Sequence, residues 1–131
     1  MPKSPLTAPG LFKSDAPFSP ATITPAGRLL HVSGQVAQGS DGKTIGVGDV
    51  AIQTEAAIEN LKKLLMAADA SLDDVCRVVI YLMSREHLPA VMAVRRRYFL
   101  EPYPAATVVV VAGLANPEWL VEIEATAALP E

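Results

Sequence analysis

Two carboxylates two residues apart, Glu122 and Glu124, lie in the alternating stretch Val121-Glu122-Ile123-Glu124-Ala125-Thr126-Ala127. A period of two is that of an extended strand, so both carboxylates project to one side while Val121, Ile123 and Ala125 project to the other. A carboxylate within hydrogen-bond reach of a water is a general base. A pair of glutamates on a strand is equally an ordinary solvated face. Taken alone, the residue types leave both readings standing.

The other reactive side chains are few. Cys76 is the single cysteine, so it has no internal disulfide partner, and its apolar neighbours read as the setting of a small buried hydrophobe. Neither His31 nor His87 is spaced to activate it as a nucleophile. His31 shares strand parity with Ser33 and reads as a partly buried strand residue; His87 reads as first-turn helix surface. Two histidines and one cysteine make no metal-ligand cluster, and no Gly-rich phosphate loop is present. No metal and no organic cofactor is therefore expected. Arg95-Arg96-Arg97 is the one run of three basic residues, and in a chain of formal net charge -3 it reads as a solvated helix face. That charge gives no general pull toward nucleic acid or an anionic membrane.

The elements that position these groups are legible in outline. With 131 residues, half of them apolar, the chain has material for one core and one ordinary domain. Pro2, Pro5, Pro9, Pro17 and Pro20 disfavour helix, so residues 1–17 read as an extended arm and residues 18–131 as the single domain. No stretch approaches the roughly 20 apolar residues of a spanning helix, and the start lacks an apolar signal core, so a cytoplasmic protein is expected. Residues 21–23 and 29–33 flank Thr24-Pro25-Ala26-Gly27 and read as a hairpin. Residues 38–48 form a Gly-rich loop enclosing a short strand at 43–45.

From Asp49, an N-cap residue, Val50, Ala57, Leu61, Leu64, Leu65 and Ala68 recur at helical spacing. Residues 75–83 are β-branched and apolar on both sides except Arg77, the pattern of a central strand. A second helix is expected at about 86–99, with Leu88, Val91, Met92 and Phe99 as its buried stripe, stopped by Glu101-Pro102-Tyr103-Pro104. Residues 106–112 and 120–128 then read as two strands pairing around Asn116-Pro117-Glu118. This order places two helices on one face of a mixed sheet, an α+β architecture. Val108 to Val111 are apolar to both sides, so the face that the helices leave bare needs cover from another copy of the chain.

Pro104-Ala105-Ala106-Thr107, Val32-Ser33-Gly34-Gln35 and the strand from Val121 to Ala127 together resemble the RidA family, also called YjgF/YER057c/UK114. The resemblance runs from about Phe18 to Ala127. It implies a chorismate-mutase-like fold: a mixed six-stranded sheet with two helices packed on one face, assembled as a homotrimer around a central β-barrel, with sites in the clefts between subunits. Active members hydrolyse reactive imines and enamines. By the same resemblance, Glu122 orients or deprotonates the attacking water, Ser33 and Gly34 shape the pocket wall, and main-chain groups of Val108 contact the substrate.

Three positions depart from the family pattern. Ala106 stands where active members carry an arginine that holds the substrate's carboxylate, Phe18 where they usually have tyrosine, and Met92 where some have asparagine. With Trp119 beside Glu122, these changes make a more apolar pocket; Trp119 reads equally as core or interface packing. A charged fork contributes hydrogen bonds of about 1.5 to 3 kcal/mol each, so a standard 2-imino acid is not the expected substrate. The expectation is a hydrolytic deaminase of a small imine or enamine, with Glu122 catalytic and Phe18, Ser33, Gly34, Met92, Ala106, Val108 and Trp119 lining the site. The alternative is a non-catalytic small-molecule or protein-binding trimer of the same fold. RNA cleavage, described for some family members, is the weakest of the three.

Overall fold

In the structure, a computed structural model, residues 3–130 are described. Met1, Pro2 and Glu131, the extremes of the expected arm and domain, lie outside them. The elements in chain order are β1 Ser4–Leu6, β2 Ala21–Ile23, β3 Leu29–Gln35, α1 Val50–Ala67, β4 Val75–Leu82, α2 Leu88–Tyr98, β5 Ala105–Val110 and β6 Val121–Ala128. Short 3-10 turns precede β4 and α2.

Helix α1 begins where its sequence signal lies. Asp49 is extended, and its side chain accepts from the Ile52 amide at 3.0 Å, satisfying one of the free donors of the first turn. The helix ends where Asp69 takes a positive φ of 56°. Pro89 sits in the first turn of α2, where no intrahelical bond needs its missing amide hydrogen. Both helices press on one face of the sheet. Ala57, Ile58, Leu61 and Leu65 of α1 and Val91, Val94 and Phe99 near α2 share one core with Val78, Ile80 and Leu82 of β4 and Val121, Ile123, Ala125 and Ala127 of β6.

Six strands are present, but hydrogen bonding divides them into a mixed four-stranded sheet of order β3-β6-β4-β5 and a separate pair, β1-β2. Two expected pairings are corrected. β2 does not form a hairpin with β3; it pairs antiparallel with β1 of the arm, while β3 pairs with β6. The Thr24-Pro25-Ala26-Gly27 turn thus redirects the chain without closing a ladder. Nor do β5 and β6 pair with each other. β5 runs parallel to β4 and β6 antiparallel to it, with β4 between them. A parallel neighbour needs a long crossover, and α2 supplies it between β4 and β5. The residues expected as a short strand at 43–45 form one isolated bridge, Gln38 to Thr44.

Candidate functional site

Strand alternation in β6 follows the sequence pattern. Val121, Ile123 and Ala125 are buried against the helices, and Glu122 and Glu124 stand half-buried on the helix-free face. The two glutamates are not equivalent there. Glu122 is registered against Tyr81 of β4, and the Tyr81 hydroxyl donates to Glu124 Oε1. That bond, with partial burial and the neighbouring carboxylates behind it, raises the Tyr81 phenol above its ordinary value. Among the described residues the Glu122 side chain accepts no hydrogen bond and forms no ion pair. It is the carboxylate left available for a ligand or a water.

Beside Glu122 the β3-β6 ladder is irregular. Val32 pairs with Ala125 and Gln35 with Ile123, so Ser33 and Gly34 together oppose one residue, Glu124. This is a β-bulge, a device that re-aims side chains and is common beside active sites. Its glycine has a steric reason. A β-carbon at position 34 would overlap Oε2, Cδ and Cγ of Glu122, so only a bare backbone lets the glutamate lie across the bulge. Ser33 is exposed on the same strand. The structure therefore brings Ser33, Gly34 and Glu122 together.

The loop entering β6 is clamped from α1. Gln53 is fully buried; its Nε2 donates to Glu118 O at 2.9 Å and Gly46 O at 3.2 Å, and its Oε1 accepts from Leu120 N at 2.9 Å. This fixes the backbone on both sides of Trp119, three residues before Glu122. Trp119 is half-buried, and its indole nitrogen is buried without a partner among the described residues.

Phe18, Met92, Ala106 and Val108 lie elsewhere in the chain. Ala106 and Val108 are registered with Val78 and Ile80 and pack against the core, so they face the helices, on the opposite side of the sheet from Glu122. Ser19 bridges to Ala105 and bonds Pro104 O through its amide at 3.0 Å, which seats Phe18 beside the start of β5. Met92 Sδ meets Nη1 of Arg95 at 3.2 Å, and Nη2 of the same guanidinium donates to Pro17 O at 3.3 Å. Phe18, Met92 and the start of β5 thus form a second group, with Arg95 at its centre.

Arg95 corrects the sequence reading of a solvated arginine run. It is 2% exposed; Arg96 bonds Asp15 O of the arm, and Arg97 pairs with Glu55. The signal was available, because Arg95 is four residues from Val91 and from Phe99 and so belongs to the buried stripe. Cys76 is buried with Sγ against Thr126 O at 3.3 Å, and burial pushes its thiol above the ordinary value, the setting of an unreactive cysteine. Among the described residues no group of three His, Cys, Asp or Glu side chains is placed to hold a metal. A cavity of about 470 Å³ lies between Pro25–Arg28 and Ala128–Pro130, at the other end of β6 from Glu122.

The family model described as Endoribonuclease L-PSP matches residues 9–129. The chain is 36% identical over 127 residues to the 3-aminoacrylate deaminase RutC of Acinetobacter baylyi, covering 97% of this chain and 98% of that protein. It belongs to the Rid family, the YjgF/YER057c/UK114 group. Among Rid structures, YyfB of Yersinia pestis superposes with a TM-score of 0.91 at 35% identity, over 98% of this chain and 100% of that one. A YjgF/YER057c/UK114 member from Mycobacterium tuberculosis superposes at 0.69 with 30% identity, over 97% and 99%. The α+β fold with two helices and a mixed sheet is therefore the Rid fold. Within it, no described helix is long and apolar enough to cross a membrane.

Proposed function

We propose that this Rid chain is a hydrolytic deaminase of a small imine or enamine, with Glu122 as its general base and acid. The observation that carries the reading is the pairing of an unengaged carboxylate with a bulge glycine that holds it in the open, while the neighbouring Glu124 is occupied by Tyr81. The relative named as a 3-aminoacrylate deaminase supplies the reaction class, since its named substrate is an enamine. An enamine first takes a proton on its β-carbon to become the iminium ion. Water then attacks the C=N carbon as Glu122 accepts its proton, which gives the neutral carbinolamine. Glu122 returns that proton to nitrogen, and the C–N bond breaks as the hydroxyl gives up its proton to solvent, leaving the carbonyl and releasing ammonia.

The working unit in this proposal is a homotrimer with a central β-barrel. Glu122 with Ser33 and Gly34, and Ala106 with Val108, Met92 and Phe18, lie on opposite sides of one sheet, so a site containing both groups draws them from two chains. Trp119 lines the same cleft. With Ala106 offering no guanidinium, the substrate is not a standard 2-imino acid gripped from that position. The same alanine favours a second reading, a trimer that binds a small molecule or a protein without turnover.

Ammonia release from freshly generated imines separates the two. A deaminase turns over at least one substrate of a panel spanning 2-imino acids and carboxylate-free analogues, and Glu122→Gln abolishes that turnover with assembly intact. Silence across the panel, with activity toward 2-imino acids appearing only in Ala106→Arg, identifies the non-catalytic trimer.

A further inference from the structure

One row of residues crosses all four strands of the sheet on the helix-free face. Gly34 lies in the β3 bulge against Glu122 of β6, Tyr81 of β4 stands directly opposite Glu122, and Val109 of β5 is registered with Tyr81. Side chains directly opposite each other on an antiparallel pair start only about 5 Å apart at their β-carbons, so Glu122 and Tyr81 would ordinarily pack together. Here they diverge. The Glu122 carboxylate lies over Gly34, toward β3, on the side of β6 away from Tyr81. The Tyr81 hydroxyl instead reaches Glu124, which is registered with Val79 further along the ladder.

A tyrosine side chain turns about two torsions, so a bond at its tip fixes the ring. That bond to Glu124 first, then burial and the charges of Glu124 and Glu122, hold the phenol above its ordinary value, and it keeps the donated proton through the neutral range. The ring is thereby a fixed wall beside the opening that the two diverging side chains leave. Its surroundings are negative. Among the described residues Glu122 and Glu124 form no ion pair, Arg77 stands four residues back on β4 opposite Thr126, and β5 adds the uncharged Thr107 and Val109. Val109, 40% exposed, continues the wall with apolar surface.

We propose that Tyr81 is a specificity-determining residue of the Glu122 site: its ring, with Val109 beside it, is the wall on which a planar, protonated C=N group lies, and Glu124 is the positioning residue that locks the ring there. A ring face attracts a cation, and the unengaged carboxylate across the opening attracts it further. The substrate class is an iminium ion carrying an apolar substituent and no carboxylate, since a carboxylate would enter beside two others. That this cation is the deaminase's substrate rests on the function proposed above; that the row takes a planar cation does not.

Titration calorimetry of the whole protein with benzamidine and with benzamide, which share a shape and differ in charge, reads the wall independently of turnover. The amidinium is expected to bind about tenfold more tightly. Tyr81→Leu is expected to erase that preference with oligomer size unchanged. Tyr81→Phe and Glu124→Leu each remove the pin, and both are expected to weaken benzamidine binding by the same several-fold factor, with the double variant no worse than either. Glu124→Gln, whose amide oxygen still accepts from the hydroxyl, keeps most of the affinity. Equal binding of amidine and amide, or no binding of either, overturns the proposal. So does a preference untouched in Tyr81→Leu, or a loss in Glu124→Gln as large as in Glu124→Leu, which would make Glu124 a charge and not a brace. Should Tyr81→Leu not fold, the wild-type ratio and its reduction in Tyr81→Phe decide the matter. With any imine that is turned over, Tyr81→Phe should raise KM more than it lowers kcat. Amidinium-selective binding without turnover leaves the wall standing and removes the deaminase; turnover without that selectivity does the reverse.

Discussion

The Tyr81 hydroxyl holds Glu124 across the β4-β6 ladder, and Glu122, two residues earlier on the same face, is left without a donor among the described residues. Two carboxylates that look interchangeable in the sequence are thereby assigned different work. Replacing each by glutamine separates them. Glu122→Gln is expected to lower deaminase turnover by roughly 10²- to 10⁴-fold with Tm nearly unchanged. Glu124→Gln is expected to cost about 1 kcal/mol of stability and to retain most activity. Equal losses of activity in both variants would remove the distinction.

Gly34 is the steric counterpart of Glu122. A methyl group there overlaps the carboxylate, so Gly34→Ala should push the Glu122 side chain off the bulge and reduce turnover by at least about tenfold without unfolding the protein. In the Glu122→Gln background the added methyl should cost little further activity, because the group it displaces no longer reacts. Additive losses in the double variant would mean that Gly34 acts by another route.

Gln53→Leu tests the clamp on the loop before β6. It removes the partner of Glu118 O, Gly46 O and Leu120 N in a partly buried setting, and a loss of about 1–3 kcal/mol in denaturant unfolding is expected. A loss below about 0.5 kcal/mol would show that the loop is held by other contacts.

Alkaline pH should weaken the junction of the two helices. Tyr98 donates to Glu59 Oε2 at 2.8 Å, and burial together with this bond pushes its phenol up to about 12. A raised folded value means that the bond stabilises fully below the ordinary phenol value of about 10 and is lost as pH rises toward about 12. Unfolding midpoints measured across that window should fall in the wild type and fall less steeply in Tyr98→Phe. Identical slopes would place the alkaline loss elsewhere.

RNA cleavage is expected to be absent, despite the family model's description. Arg95 is buried, Arg96 faces the arm and Arg97 pairs with Glu55, so the run presents no concerted basic patch on a chain of net charge -3. Salt-dependent RNA binding that disappears on neutralising Arg96 and Arg97 would contradict this.

How much was legible in the sequence depended on how local each signal was. The α1 start at Asp49, the alternation of β6 and the buried β4 were readable because capping and periodicity are properties of neighbouring residues. Strand partners were not. A Pro-Gly turn between β2 and β3 has the chemistry of a hairpin, yet β2 pairs with the arm, and only the whole sheet determines that β6 lies between β3 and β4. At the site, Glu122 and Gly34 were recognisable as words in the chain, whereas their contact depends on the bulge between Val32 and Gln35. Arg95 was misread because charge outweighed its place in the Leu88, Val91, Phe99 stripe.

The strand order also bears on how this protein is made. In the four-stranded sheet β3 has one partner, and that partner is β6, which follows the other strands of the sheet in chain order. A nascent chain extended as far as β5 can form the β4-β5 pair through α2, but its β3 edge and half of the apolar underside have nothing to close against. The sheet is therefore zipped from its middle by the segment that carries Glu122. Until that segment emerges from the ribosome the chain is an open, sticky intermediate, and acquiring the candidate catalytic residue and acquiring a closed core become one event in its biogenesis.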